Sequence, residues 1–420
     1  MGFIGGVTQR EAAARIRDAE RDRLLAVPID IGKRAAKAFV CDFWGEIVAA
    51  PFEFRLDASG LEEFKVAVAR ASAARDAVWT RVGLEQAGHY HVPLLARLQQ
   101  EAFDVVVFNP AQVSANRAQD LLRSLKSDNR DLGALAELLI RAKGHHAIPL
   151  SPLLAEQAIL AAQRGRKIDA RRTLKNQILA TLDLVFPGLD GCFKDIFDSP
   201  FGRLLLGEGF DPGRVRRLGP QRMREFLRHR GMRTRTTTIE RVVETARNAL
   251  VLPEPRALLY GRVLGDDVDL LEQLDRQIAR CESQLATLLP DTPAGILTTI
   301  PYVSVVRASN YGAALGDPGR FRTAAQVYRS SGLVPKLYES AGRRRASTHI
   351  RREGSVDLRQ AILELGIALR NGHQPTARYA RELEARGKPG GVVNCALGRR
   401  ANRIAFAMVR DQAPFDPSRW

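Results

Sequence analysis

The stretch Leu24-Leu25-Ala26-Val27-Pro28-Ile29-Asp30-Ile31 decides how the N-terminal part of the chain folds. It is apolar except for one carboxylate, a composition typical of a strand that is buried on both faces in the middle of a sheet. Pro28 opposes this interpretation, because proline has no backbone N–H to donate to a central ladder. We predict a central strand that ends at Asp30.

The residues that follow alternate between strand and helix patterns. Segments 36–41 and 47–54 have strand patterns, and the turn chemistry of Gly45 between them predicts a hairpin. Further along the chain come a helix at 61–69, a strand at 77–84, a helix at 92–100 and a strand at 104–108. An alternation of this kind predicts an α/β N-terminal domain.

The rest of the chain has mainly helical patterns. Its 420 residues exceed what one hydrophobic core usually serves. The Gly- and Pro-rich segment 186–213 predicts a loop or hinge. We expect an α/β domain at 1–150, a basic helical region and linker at 151–255, a coiled coil at 256–290, and a helical C-terminal domain at 291–420.

The expected coiled coil rests on apolar residues spaced alternately three and four positions apart, which form the heptad seam of paired helices. The same seam suits a single long helix that packs within its own domain, and the sequence leaves both interpretations open. The residues of the seam are Leu271, Leu274, Ile278, Cys281, Leu285 and Leu288.

The charge balance favours a polyanionic partner. The chain has 64 Lys and Arg against 47 Asp and Glu, a net charge of +17 at pH 7, which attracts nucleic acid first and an anionic membrane second. No apolar run approaches the length of a membrane-spanning helix, so we expect a cytoplasmic protein without a membrane partner. The residues expected to contact phosphate, and so to position nucleic acid without reading its sequence, are Arg171, Arg172, Lys175, Arg343, Arg344 and Arg345.

Four acidic residues stand where they can act together. Asp30 ends one predicted strand and Glu85 follows another, so both can reach the carboxyl edge of the sheet, where α/β proteins place ligands. A buried carboxylate needs a cation, either an arginine or a metal. Asp128 and Asp131 lie three positions apart on the apolar stripe of one helix, and capping of the helix start is the alternative role for them. Carboxylate oxygens are the ligands that Mg²⁺ prefers, and two such ions can assist phosphodiester chemistry.

A serine in the C-terminal region has two possible roles. Ser340 lies in the predicted turn Tyr338-Glu339-Ser340-Ala341-Gly342, directly before an arginine run. A serine in a basic turn is ordinarily a turn residue. The alternative is a nucleophile, and on this point the sequence alone does not separate Ser340 from Ser330 or Ser347.

Several short stretches, taken in order, resemble one protein family. They are Pro28-Ile29-Asp30-Ile31-Gly32-Lys33, Gly83-Leu84-Glu85, Gly88-His89-Tyr90-His91, Phe108-Asn109-Pro110, Lys126-Ser127-Asp128-Asn129-Arg130-Asp131, Ile300-Pro301, Gly316-Asp317, Phe321, Gly332-Leu333-Val334-Pro335 and Ser340-Ala341-Gly342. Their order and spacing are similar to those of the DEDD transposases of the insertion sequence 110 family, RNA-guided recombinases of bacterial mobile elements. The chain departs from the family pattern at Tyr302 and Ser304, where the family usually has glycine, and at Ala341, which replaces the first glycine after the serine.

The resemblance implies an RNase H-like, RuvC-type N-terminal domain, in which the four acids bind two Mg²⁺ ions. It implies that Ser340 attacks a DNA phosphodiester and forms a covalent phosphoserine link. It also implies a homo-oligomer, a dimer or tetramer assembled with help from the coiled coil, in which the serine of one subunit completes the carboxylate site of another. A structured noncoding bridge RNA would pair with donor and target DNA. The implied function is RNA-guided DNA strand exchange that moves an insertion sequence.

Two other functions remain open from the sequence. A RuvC-type, structure-specific nuclease would use metal-bound water and no serine, so that Ser340→Ala would still cut DNA. A non-catalytic nucleic-acid-binding protein would bind RNA in a salt-sensitive way and bind no Mg²⁺.

Overall fold

The chain is seen in a computed structural model that describes residues 9–86, 88–119, 128–146, 149–253, 255–340, 343–350 and 354–418. It divides into two compact units, Met1–Pro149 and Leu150–Trp420. The first unit combines a sheet with helices, and the second is mainly helical, as expected from the sequence patterns. Among the described helices, none is both long enough and apolar enough to cross a membrane.

The first unit contains one sheet. Its strands are β1 (Leu24–Ile31), β2 (Ala35–Asp42), β3 (Ile47–Arg55), β4 (Trp79–Glu85), β5 (Asp104–Phe108) and β6 (His145–His146). They lie in the order β3-β2-β1-β4-β5-β6. The strands β1, β4 and β5 are parallel, whereas β2, β3 and β6 each run antiparallel to their neighbours.

The predicted central strand is confirmed, since β1 pairs with β2 on one side and with β4 on the other. Pro28 aligns with Gly83 of β4, while the pairing with β2 runs through Leu25 and Ala26 and resumes at Ile29. The missing N–H of proline is therefore tolerated inside a ladder that is held on both sides of it. The predicted hairpin is also confirmed as β2 and β3.

Different helices cover the two faces of this sheet. Leu25 of β1 lies in the same core cluster as Phe64. Leu24, on the opposite face, lies in a cluster with Leu139. Leu139 also lies against Gly83, where an added Cβ would come within 2.9 Å of it. The helices of the unit are α1 (Gln9–Asp18), α2 (Ala58–Ala74), α3 (His91–Gln100), α4 (Pro110–Gln119) and α5 (Asp128–Ile140). Thus α2 and α3 cover one face, and α5 covers the other.

The second unit is built from ten helices and one hairpin of the described residues. Its first part contains α6 (Pro152–Val185), α7 (Pro200–Gly207), α8 (Pro212–His229), α9 (Thr236–Asn248) and α10 (Arg256–Leu288). Its second part contains α11 (Val305–Leu315), α12 (Ala324–Ser330), β7 (Pro335–Ser340), β8 (Arg343–Ile350), α13 (Val356–Gly372), α14 (Gln374–Ala385) and α15 (Gly390–Asp411). Each part has its own cluster of buried apolar side chains.

The apolar seam of α10 is used inside the second unit. Its residues are buried or half-buried, and α10 runs antiparallel to α6. The direction follows from two ion pairs, Arg164 Nη2 to Glu282 Oε1 at 2.8 Å and Arg171 Nε to Asp275 Oδ1 at 2.5 Å. This packing agrees with a long helix inside its own domain, and a coiled coil between subunits stays a prediction.

The interpretation of residues 186–213 as a loop or hinge is wrong in part, because α7 lies inside this segment and α8 begins at its end. Phe186, Phe201 and Phe210 in this segment are at most 2% exposed and belong to the core of the first part of the second unit. Two of its three prolines begin helices rather than loops, because Ser199 caps α7 and Asp211 caps α8 directly before a proline.

Asp104 is the centre of a buried polar cluster at the start of β5. Its Oδ2 accepts a hydrogen bond from Trp79 Nε1 at 3.0 Å and lies 3.9 Å from Arg81 Nε, while its Oδ1 lies 3.1 Å from His146 Nε2. Arg81 is 1% exposed. Burial lowers the pKa of Arg81, and the charge of Asp104 opposes this effect. The guanidinium therefore depends on Asp104 for its charge balance in the core.

We expect Asp104→Ala to lower the free energy of unfolding by about 3–5 kcal/mol, because the variant leaves the Arg81 charge buried without its partner. Urea denaturation followed by circular dichroism measures the change. Glu62→Ala is the control, since Glu62 pairs with Lys65 at the surface, and it should leave the unfolding free energy nearly unchanged. Equal losses in the two variants would contradict the role assigned to Asp104.

Candidate functional site

Asp30 and Glu85 occupy equivalent positions at the ends of two neighbouring strands. The last aligned pair of the parallel strands β1 and β4 is Ile29 with Leu84, so the next residues, Asp30 and Glu85, stand side by side at the carboxyl end of the sheet. Neighbouring strands are about 4.8 Å apart, and both residues are half-buried. The two carboxylates are therefore placed to share one cation.

The two acids belong to a row of charged residues that crosses four strands. Lys37 of β2 aligns with Asp30, and Glu53 of β3 aligns with Lys37. Residues aligned on adjacent strands present their side chains on the same face. From β3 to β4 the row therefore reads Glu53, Lys37, Asp30 and Glu85, with three negative charges and one positive. Lys37 is not among the residues predicted from the sequence, although its position in the alternating pattern of β2 could have indicated it.

Asp128 and Asp131 lie at the start of α5, which covers the same face of the sheet. That face carries the even-numbered residues of β1, including Leu24 and therefore Asp30. The predicted apolar stripe of α5 is buried, and Asp131 is half-buried. The side chain of Asp128 lies outside the described residues. Among all the described residues, those at this sheet edge included, no group of three or more His, Cys, Asp or Glu is arranged to hold a metal ion. The structure thus brings two of the four acids together, and the full set stays a prediction.

The predicted turn is wrong for Tyr338 and Glu339, which lie in β7, whereas Ser340 is the last residue of that strand and directly precedes the connection to β8. β7 and β8 form an antiparallel hairpin in which Ser340 aligns with Arg343, and the arginine run 343–345 belongs to β8. Residues 341 and 342, which connect the strands, lie outside the described residues, as do the side chains of Ser340 and of the arginine run. The backbone therefore places the predicted nucleophile beside the predicted phosphate-binding arginines.

The basic residues predicted on α6 differ in their availability. Arg171 pairs with Asp275, and Lys175 Nζ lies 3.8 Å from Asp195 Oδ2. Arg172 also pairs with a carboxylate, that of Asp169, but its side chain is 71% exposed. A phosphate group would have to compete with a carboxylate for Arg171 and Lys175, so their predicted role requires that those pairs open.

Tyr302 has a backbone conformation that favours glycine. Its φ angle is 64°, in the left-handed region, and its side chain is 67% exposed. The Tyr302 carbonyl accepts a hydrogen bond from Arg307 Nη1 at 2.7 Å. Ser304, the second departure from the family pattern, caps α11 by accepting the backbone N–H of Arg307. The chain therefore keeps a glycine-like backbone at position 302 although it carries tyrosine there.

We expect Tyr302→Gly to be more stable than Tyr302→Ala by about 1 kcal/mol, because only glycine adopts a positive φ without steric cost. Thermal unfolding of the two variants measures the difference. Tyr260 inside α10 is the control position, where alanine should be the more stable of the two by about 1 kcal/mol. If the glycine and alanine variants ranked in the same order of stability at positions 302 and 260, this result would contradict the left-handed backbone at Tyr302.

Two family profiles and several known proteins are similar to this chain. Residues 27–187 match a transposase family of the DEDD IS110 type, and residues 294–381 match the transposase IS116/IS110/IS902 family. The insertion element IS110 uncharacterized 43.6 kDa protein of Streptomyces coelicolor is 26% identical over 292 residues, which cover 68% of this chain and 71% of that protein. The insertion element IS116 uncharacterized 44.8 kDa protein of Streptomyces clavuligerus is 24% identical over 380 residues, covering 89% and 94%. The pilin gene-inverting protein of Moraxella bovis is 27% identical over 151 residues, covering 35% and 46%.

Proposed function

Because this chain belongs to the IS110 family of transposases, and is thus an enzyme of DNA strand transfer, we propose that it exchanges strands through a serine nucleophile assisted by Mg²⁺. The nucleophile is Ser340. The proposed ligands of two Mg²⁺ ions are Asp30, Glu85, Asp128 and Asp131. The observation that carries the proposal is the alignment of Asp30 with Glu85 on the face that α5 covers.

The proposal includes an RNase H-like, RuvC-type fold for the first unit. The strand order supports it: β1, β2 and β3 form an antiparallel meander, and the parallel strands β4 and β5 then continue the sheet on the other side of β1. This order accounts for the neighbouring positions of Asp30 and Glu85. β1 begins the meander and β4 crosses back to lie parallel beside it, so both strands end at the same edge of the sheet.

The residues at this edge fit a magnesium ion. Asp30 and Glu85 offer only carboxylate oxygens, the hard ligands that Mg²⁺ prefers over nitrogen and sulfur. Mg²⁺, when bound, would stabilise the negative charge that develops on a reacting phosphodiester. Lys37 stands beside Asp30 in the row of charges, where it can hold that carboxylate in place.

Ser340 would make strand exchange possible without an external energy source. Its hydroxyl oxygen attacks phosphorus, the bond from phosphorus to a deoxyribose oxygen breaks, the hydroxyl proton passes to a base, and the released sugar oxygen takes up a proton. The product is a phosphoserine ester. When the sugar hydroxyl of another strand attacks this ester, the serine oxygen leaves and a new phosphodiester forms, so one ester is exchanged for another at each step.

We also propose that a homo-oligomer, a dimer or tetramer, and a structured bridge RNA take part with donor and target DNA. The carboxylates belong to the first compact unit and Ser340 to the second, an arrangement compatible with a serine that completes the site of another subunit. The net charge of +17 suits a protein that binds two nucleic acids. The relative named for pilin gene inversion supports recombination of DNA as the reaction class.

If the sheet edge binds Mg²⁺, the ion should raise the melting temperature of the wild type. At about 100 times its Kd, a ligand stabilises the folded state by about 2.7 kcal/mol. Asp30→Asn and Glu85→Gln should lose most of this shift, because each removes a ligand charge. Glu53→Gln removes an acid from the other end of the same row and should retain it. A Mg²⁺ shift in Asp30→Asn as large as in the wild type would exclude this metal site.

Ser340→Ala should abolish a denaturant-resistant protein–DNA adduct, because alanine has no oxygen to form the ester. Ser347→Ala, a change in the other strand of the same hairpin, should leave the adduct unchanged. Gel electrophoresis under denaturing conditions, with the DNA that flanks the element as substrate, measures both. Adduct formation by Ser340→Ala would exclude the serine assignment, and DNA cutting by this variant without any adduct would favour the nuclease mechanism.

A further inference from the structure

The second unit contains a basic cleft that none of the predicted sites includes. It has a volume of about 620 Å³ and lies between α12, α15 and the start of β7. Four arginines line it, and the described residues around it include no Asp or Glu. They are Arg329, Arg399, Arg400 and Arg403. The arginine cleft, as we call it, therefore concentrates positive charge in a concave surface.

The walls of the arginine cleft are joined by buried hydrogen bonds. Asn402 of α15 is 1% exposed, and its Nδ2 donates to the Ala324 carbonyl of α12 at 2.7 Å. Asn402 Oδ1 accepts the hydroxyl of Tyr311 at 3.1 Å. The Tyr328 hydroxyl of α12 donates to the Cys395 carbonyl of α15 at 3.0 Å. The two helices are thus fixed relative to each other, so the arginines project from a preorganised frame.

The spacing of the arginines on α15 places them on one face of the helix, which lines the cleft. Ala396, Arg399, Arg400 and Arg403 follow the three- and four-residue steps that define one helix face. Arg400 is half-buried, with its guanidinium 5.9 Å from the ring centre of Tyr379.

The arginine cleft also differs from the other basic surfaces in the ion pairs that its arginines form with carboxylates. Among the described residues, no carboxylate forms an ion pair with Arg329, Arg399 or Arg403, and all three are exposed. On α6, by contrast, Arg171 is paired with Asp275. Like charges that lie together without a carboxylate raise the free energy of the isolated protein, and an anion with several charges relieves that cost.

We infer that the arginine cleft binds the phosphate backbone of the DNA strand that Ser340 attacks. Val334 and Pro335 line the cleft and lead directly into β7, which ends at Ser340. Five residue steps of about 3.4 Å separate Pro335 from Ser340, or about 17 Å. With a rise of about 3.4 Å per nucleotide in duplex DNA, the cleft holds phosphates about five nucleotides from the attacked bond. The DNA contact stands on the cleft itself, and only its distance from the reacting bond rests on the proposed function.

The test measures DNA affinity of the full-length protein by fluorescence anisotropy at several salt concentrations. A 30-base-pair duplex and a single-stranded RNA of equal length serve as probes. Arg399→Gln/Arg403→Gln should weaken duplex binding about tenfold for each lost phosphate contact. It should also lower the slope of log K against log salt by about 1.8, since each contact contributes about 0.9. Arg381→Gln/Arg386→Gln removes the same charge outside the cleft, from α14 and from the residue directly after it, and should change the slope little.

A second pair of variants keeps the test independent of folding. Ala396→Glu places a carboxylate three residues before Arg399 and four residues before Arg400. This spacing favours the helix, but the new carboxylate competes with phosphate for the two arginines. It should weaken duplex binding, whereas Ala396→Gln should bind nearly as the wild type does.

The outcomes separate the inference from the proposed function. Equal salt slopes for Arg399→Gln/Arg403→Gln and Arg381→Gln/Arg386→Gln would overturn the inference, and a loss confined to the RNA probe would overturn its assignment to DNA. A wild type that forms no adduct, while the cleft variants still lose duplex affinity, would contradict the serine mechanism and leave the cleft as a DNA site.

Discussion

The register of β1 against β4 is the constraint on which the candidate metal site depends. In a parallel pair, aligned residues share a face, so the alignment of Ile29 with Leu84 places Asp30 beside Glu85. A slip of one residue would turn Glu85 to the face covered by α2 and α3 and separate the two carboxylates. The register is held by apolar packing on both faces, and the missing side chain of Gly83 lets Leu139 of α5 come into contact with β4.

Much of the first unit follows from the sequence because its signals are local. Continuous apolar runs indicate β1 and β5, and the turn around Gly45 indicates the hairpin of β2 and β3. The charged row does not follow, because Glu53, Lys37 and Asp30 are brought together by strand pairing that no local pattern encodes. In the second unit, the proline and glycine between 186 and 213 favour a loop, although serine or aspartate before proline also begins a helix, as it does at α7 and α8.

The basic residues show why composition predicts a partner but not its site. The net charge of +17 follows from counting, and clusters such as the one around Arg171 are visible along the chain. Folding then pairs Arg171 with Asp275 across the α6–α10 contact. The arginine cleft draws instead on Arg329 and Arg403, which are far apart in the sequence and meet only because α12 packs against α15. Availability to phosphate is therefore a property of tertiary structure.

Tyr302 shows how packing around a turn can hold a backbone conformation that the residue itself disfavours. A positive φ at tyrosine costs about 1–2 kcal/mol relative to glycine, and it persists because the surrounding structure holds it. Pro301 and Tyr302 lie against Gly372 at the end of α13, where an added Cβ would come within 2.7 Å of both. This packing therefore stabilises the positive φ at Tyr302 against the negative φ that tyrosine favours.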